Sequence, residues 1–538
     1  MVSIKRPLAL PRSLVTRVHH AQKLITALLC CSFVLFMVLF LFFPQYFGKA
    51  FARNFAYSLA ITSLTSAIAT LFALPLAITL LTVSARKLIA CLGLLYVPLT
   101  ISPLALASIL CADFIHLSPY GEAVIYVTQF ISIFPLAVLL EFFVFDRLSS
   151  LMLLHGLQLS LGSVRWTWKA HRSAIIRAGM LSFVLGTGIL LADPSLHLVF
   201  GGTTPFLSNH ILHVLSSGGS QAAAIPHVVS LIVLSVVAAV LLADTLQHSG
   251  NNSKAVSDDE RAAFAAVPLT RGIGRAGIFV GSIYAALTVF IVVMIAKNGI
   301  VHMLSLAQSN VPQAFGQAIW STTIAVVPVI LLAWIFSLYS ASIAFWHPRF
   351  AAVFNTCMVV FLLISLTTGG ILIAFIHQDW IKFGSFYLIP PLVGNAGYGN
   401  GYLAIAMSYM SIAFPIAHLV SYSVFESYRP AVLAARDLGA KRTRIFFTII
   451  LPTIIPVWIP AFALLIGLLI ARNTPAVFVN SASFPQVGPS ILNAAEEGHD
   501  AAVYALTTSA SLLSILLFIV GIAGVLLFSH RRGHYETI

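Results

Sequence analysis

Few side chains in this chain of 538 residues are placed to do chemistry, and their pattern excludes most reaction classes. Glu141 and His418 are the main ionisable groups inside long apolar runs, where such residues mark proton relays, ligand sites or structural pairs. Glu141 stands within a turn or two of Arg147, which points to an ion pair or a snorkelling carboxylate rather than a relay. His418 reads as a histidine satisfied at a helix–helix contact. No carboxylate pair or histidine cluster recurs at ligand spacing. The five cysteines (Cys30, Cys31, Cys91, Cys111, Cys357) fall in apolar runs without a C-x-x-C pattern. None of the nine lysines precedes Ser or Thr, so the phosphate loop G-x-x-x-x-G-K-[ST] is missing. The expectation is a chain that is not an enzyme, holds no cofactor or metal, and relies on a separate ATPase if ATP drives it.

The spacing that stands out is mechanical rather than catalytic. Ala434-Ala435-Arg436-Asp437-Leu438-Gly439 lies in a basic loop between two apolar runs, and Pro452 follows in Ile450-Leu451-Pro452. Pro430 can start a short helix over the good helix formers that follow, and Gly439 can stop it. Ala434, Ala435 and Gly439 give such a helix a small face that lets another protein approach closely.

This pattern, A-A-x-x-x-G then I-L-P, resembles the EAA loop of ABC-importer permeases, with Leu433 where the family pattern has Glu. The resemblance implies that Ala434, Ala435, Asp437, Gly439, Leu451 and Pro452 form the loop that docks on a cytoplasmic ATPase. A degraded copy lies upstream in Gly156-Leu157-Gln158-Leu159-Ser160-Leu161-Gly162. There Leu157 and Gln158 replace the alanines beside Gly162, and Ile175 stands where the proline would be. By architecture the whole chain is similar to fused, double-length permeases such as those for thiamine and ferric iron. The partners implied are an ATPase, as a dimer, and a periplasmic solute-binding protein, in a bacterial inner membrane.

The elements that must position these loops are apolar. Hydrophobic residues make up 59% of the chain and charged ones 8%, against about 25% charged in a soluble domain. Mean hydropathy is +0.99, so the expected fold is an all-α integral membrane protein. Spans are expected near 24–43, 56–83, 88–111, 123–145, 176–192, 224–243, 276–296, 318–342, 351–376, 402–425, 451–471 and 501–528. The first is twenty residues long and ends in Phe42-Phe43-Pro44, which reads as a retained span rather than a cleaved signal.

With the N-terminus inside, only Lys49, Arg53, Lys297, Lys382 and Arg472 of the 29 Lys and Arg fall outside. That asymmetry predicts twelve spans with both termini cytoplasmic, and it accounts for the +13 charge by topology, with no nucleic acid partner. The halves repeat in parallel: Phe134-Pro135 and Val144-Phe145-Asp146 recur 280 residues later as Phe414-Pro415 and Val424-Phe425-Glu426. Gly162 answers Gly439, and Pro205 and Asn209 answer Pro489 and Asn493. The division is a first permease unit over 1–244, a cytoplasmic linker over 245–275 and a second unit over 276–538.

Two regions stay open. Pro456 and Pro460 suggest kinks that serve either gating or packing. Residues 481–500 read either as an interfacial helix facing the binding protein or as a re-entrant or surface loop. The rival architecture is a secondary transporter of major-facilitator type, also six plus six spans. Its D-R-x-G-R-R-like loop is replaced here by Ser84-Ala85-Arg86-Lys87.

Overall fold

The computed structural model describes residues 49–110, 122–160, 164–200, 206–216, 228–237, 268–306, 311–377, 381–383, 386–394, 397–471, 474–479, 481–497 and 499–535. Except for one short hairpin, the regular structure in them is helical. The first half holds α1 (Lys49–Leu80), α2 (Ala85–Tyr96), α3 (Pro103–Ile109), α4 (Glu122–Ser160), α5 (Val164–Ala192), α6 (Ser195–Phe200), α7 (Leu207–Ser216) and α8 (Val228–Val237). The second holds α9 (Pro268–Leu306), α10 (Val311–Trp346), α11 (Pro348–His377), the hairpin β1 (Ile381–Phe383) and β2 (Phe386–Ile389), and α12 (Tyr402–Ser427). It continues through α13 (Arg429–Asp437), α14 (Arg442–Ile445), α15 (Leu451–Ala471), α16 (Thr474–Phe478), α17 (Val487–Glu496) and α18 (Asp500–Tyr535).

Among the described residues, 8 helices are long and apolar enough to cross a bilayer, or 9 if one bent pair counts as a span. The chain is an all-α, multi-pass membrane protein. The expected spans at 24–43 and at both ends of 224–243 lie outside the described residues. The expected linker over 245–275 is described only from Pro268, where α9 has already begun.

The expected straight span at 88–111 is corrected. Ala90–Thr100 and Pro103–Ile109 meet at 86°. Pro98 opens a tight turn over Val97–Thr100, and Ser102 is extended at ψ 133 before Pro103 starts α3. A proline disfavours helical geometry in the residue before it, so the chain turns there. Every residue of α3 is buried.

Lipid supplies no hydrophobic drive between spans, so small residues and hydroxyls set the packing. On α1, Ala69, Ala73 and Ala77 recur every fourth residue and are wholly buried, with α4 and α5 packed on that helix. Ser66 Oγ of α1 donates to the Phe183 carbonyl of α5 at 2.9 Å. A Cβ on Gly186 of α5 would stand 2.5 Å from that same hydroxyl, so only glycine permits the approach. In the second half, α10 packs on α12 and α15 on α18.

The halves share cores. α9 packs against α1 and α18. The largest apolar cluster joins Leu196, Phe200, Leu207 and Ile211 from the first half to Phe478, Val487 and Ile491 from the second. Helices α6 and α17 meet there. Residues 487–496 therefore form a helix packed into the protein, which resolves the open reading of 481–500. Val487 and Ile491 are buried in it.

Candidate functional site: the short helix between α12 and α15

Helix α12 ends at Ser427, and after Tyr428 the chain starts α13 with Pro430 in its first turn. A proline there costs nothing, because the first amides of a helix have no partner inside it. The expected stop is also met. Gly439 adopts φ +82, its N–H donates to the Arg436 carbonyl at 2.9 Å, and the Ala440 N–H donates to the Ala435 carbonyl at 3.0 Å. Those two bonds make a Schellman cap, closed by apolar contact between the residues that flank it. Ala435 and Ala440 both pack on the local apolar cluster.

One face of α13 is anchored. Val432 is wholly buried against a cluster with Ala341, Phe345, Val424, Phe425, Ile445 and Ile450. Arg429 Nε and Nη2 donate to the two carboxylate oxygens of Glu426, each at 2.7 Å. This hydrogen bonding raises the Arg429 pKa above its ordinary value. The Arg429 guanidinium also lies 4.7 Å from the centroid of Phe345, and that of Arg442 lies 5.0 Å from Trp346. Both rings end α10, so cation–π contacts tie the loop to a third helix.

The other face is bare. Leu433, Ala434, Arg436, Asp437 and Gly439 are exposed, and Leu438 is 88% exposed. A Cβ on Gly439 would meet nothing within 4 Å. The small residues expected to share a face thus divide: Ala434 and Gly439 point outward, while Ala435 turns half inward. Leu438 is the residue that motif reading passes over. Its signal was present, since Val432 and Ala435 define the packed side and Leu438 falls off it. Asp437 ends the helix where the dipole disfavours a negative charge.

Beyond α14, Phe446–Ile450 form one π-helical turn before Leu451 and Pro452 open α15. The Pro452 ring would clash with the carbonyl four residues back in a regular helix, and the wider turn relieves that contact. Leu451 is half-buried, Pro452 is exposed, and Pro456 and Pro460 lie inside a helix that stays continuous.

The first-half copy is different. Helix α4 runs unbroken to Ser160, so Leu157 and Gln158 fall in its last turns. Their side chains, and Gly162 altogether, lie outside the described residues.

The two intramembrane candidates also separate. His418 is fully buried, with Nδ1 2.7 Å from Ser340 Oγ of α10 and Nε2 2.9 Å from Asn355 Oδ1 of α11. It is the satisfied interhelical histidine that was expected. Glu141 is fully buried too, but neither of its oxygens has a hydrogen-bond partner among the described residues. The side chain of Arg147, its expected partner, lies outside them.

Residues 335–533 match a family model described as the inner membrane component of binding-protein-dependent transport systems. No curated protein and no solved structure matches the chain. The matched segment starts within α10 and ends within α18, so it contains α13 and the spans on either side. The match supports a permease component of an ABC transport system.

Proposed function

We propose that the chain is the transmembrane permease of an ABC importer, and that α13 is where a separate cytoplasmic ATPase docks. The observation that carries this reading is the division of α13 into two faces. Its packed side joins α10, α12 and α15 through Val432, Arg429 and Arg442, while Ala434, Leu438 and Gly439 stand free. A helix fixed on one side and bare on the other can pass a rigid-body push into several spans at once. Leu438 is the apolar knob that an ATPase cleft would receive, and Asp437 is a carboxylate left for a cation of the partner.

In this reading ATP closes the ATPase dimer, both docking loops move together, and the chain opens to a solute brought by a periplasmic binding protein. The family match favours this over a major-facilitator transporter. Two fused six-span units, with both termini cytoplasmic, follow from the positive-inside asymmetry and the 280-residue repeat. A pair of equivalent hydrogen bonds adds support. The Leu207 N–H donates to Ser58 Oγ in the first half at 2.8 Å, and the Val487 N–H donates to Thr322 Oγ1 in the second at 3.0 Å.

The experiment is photocrosslinking from position 438 in membranes that contain the ATPase. Capture of the ATPase, lost when the probe is moved to Val432, is the expected result. Equal capture from both positions, or none from 438, removes the docking assignment. Topology is checked by cysteines at Ala440 and Pro485, which should label from the cytoplasm and the periplasm respectively.

A further inference from the structure

Five buried polar atoms without a hydrogen-bond partner among the described residues belong to three first-half helices. They are Thr128 Oγ1 and Gln129 Oε1 on α4, His197 Nδ1 on α6, and Ser208 Oγ and Asn209 Oδ1 on α7. Three of these residues are linked through contacts. Gln129 Nε2 lies 3.3 Å from His197 Nε2, and the imidazole stacks on the Phe206 ring with centroids 3.5 Å apart. Phe206 directly precedes α7, whose second residue is Ser208. Gln129, His197 and Ser208 are at most 2% exposed.

The hydrogen bonding defines what such a place can hold. Burial lowers the His197 pKa to about 3, so the ring is neutral. With the Gln129 amide donating to Nε2, the ring proton sits on Nδ1 and faces no acceptor. Gln129 Oε1 remains as an acceptor, and the Ser208 hydroxyl can do either. No charged side chain belongs to the set, and the acid one turn before His197 is already used. Asp193 Oδ1 accepts the Ser195 N–H at 3.0 Å and the Ser195 hydroxyl. An ion would find no counter-charge, whereas a small neutral guest would find two to four polar partners, as buried waters do.

The second half answers this place with a closed set. At 280 residues on, Gln129 becomes Tyr409 and Phe206 becomes Gln486. The Tyr409 hydroxyl donates to Gln486 Oε1 at 3.4 Å, and Gln486 Nε2 donates to the Phe484 carbonyl at 3.2 Å. Val477 stands where His197 does, and Ser408, at the position of Thr128, donates to the Ile405 carbonyl.

We propose that Gln129, His197 and Ser208 enclose a buried hydration site in the first half, held by water, with no counterpart in the second. Because α6 packs against α17, the site adjoins the contact between the halves.

The test is radiolytic footprinting of the purified full chain, since water held beside a phenyl ring oxidises it even where bulk solvent is excluded. Phe206 is the reporter and Phe478, also buried, is the control in the second half. The expected result is oxidation of Phe206 several-fold faster than of Phe478. Protection of Phe206 equal to that of Phe478 overturns the proposal, and this comparison needs no variant. In the double variant Gln129→Leu, Ser208→Ala, Phe206 should fall to the rate of Phe478. An unchanged rate in a folded variant would mean that bulk solvent, not a held guest, reaches the ring, and would equally overturn it.

Discussion

Ser58 and Thr322 make the same two hydrogen bonds in the two halves of the chain. Each hydroxyl donates to the carbonyl four residues earlier, Asn54 at 2.6 Å and Ala318 at 2.7 Å. Each then accepts the first amide of a short helix, Leu207 or Val487. Those first amides have no partner within their own helices. One hydroxyl therefore fixes the entry of each short helix onto the second expected span of its half. The accepting residues differ, Ser against Thr, and the spacing shifts from 280 to 264 residues, which hides the relationship from a search for identical letters.

Removing either hydroxyl leaves a buried N–H unpaired, which costs about 1–3 kcal/mol. Ser58→Ala and Thr322→Val should each lower the thermal unfolding midpoint of the purified protein. The two bonds share no residue, so the double variant should lose about the sum of the single effects. A neutral Thr322→Val would show that water replaces the bond and that it does not fix α17.

Leu438 and Val432 belong to one helix and should behave oppositely. Val432→Ala removes buried methyl groups at about 0.8 kcal/mol each, with a further cost for the space left behind. Leu438→Ser removes almost no buried surface and should leave the unfolding midpoint unchanged. If α13 docks an ATPase, Leu438→Ser should instead abolish co-purification with it. Loss of stability in Leu438→Ser at equal expression would return that side chain to the core.

Glu141 offers a test by removal. A buried polar group without a partner costs free energy, so a neutral or apolar replacement should not destabilise the bundle. Glu141→Gln and Glu141→Leu are expected to unfold at or above the temperature of the parent chain. A drop of several degrees in both variants would reveal a cation beside the carboxylate and restore the ion pair that the sequence suggests.

Much of this architecture was legible because hydropathy reads span positions directly. The run at 123–145 became the core of α4, and Pro430 and Gly439 marked the limits of α13 through backbone preferences that act locally. What stayed hidden depends on direction and on partners. The 86° bend at Ser102 leaves hydropathy untouched, so 88–111 read as one straight span. The burial of α17 depends on α6, α10 and α18, which no local pattern encodes. Leu438 looked like part of a motif spacer until the packed side of α13 was known. The hairpin over 381–389 fell in a stretch between spans that carries no clear alternation.

The last prediction separates the two loops by their glycines. Gly439 is left-handed, and any other residue there is strained by roughly 1–2 kcal/mol. Nothing inside the protein crowds that position, so Gly439→Ala should insert and fold with only that cost. Gly439→Glu adds a bulky charge to the bare face beside Leu438, where a docking cleft must close. It should abolish ATPase-coupled uptake while membrane levels stay matched. Gly162→Glu should give only a partial loss, because Leu157 and Gln158 already make that loop larger and α4 continues into it without a separate short helix. Solute uptake and ATPase co-purification, measured together for the three variants, decide the matter. Equal defects from the two Glu variants would mean that the degraded copy couples as strongly as α13. Full activity in Gly439→Glu would mean that no partner approaches α13 at all.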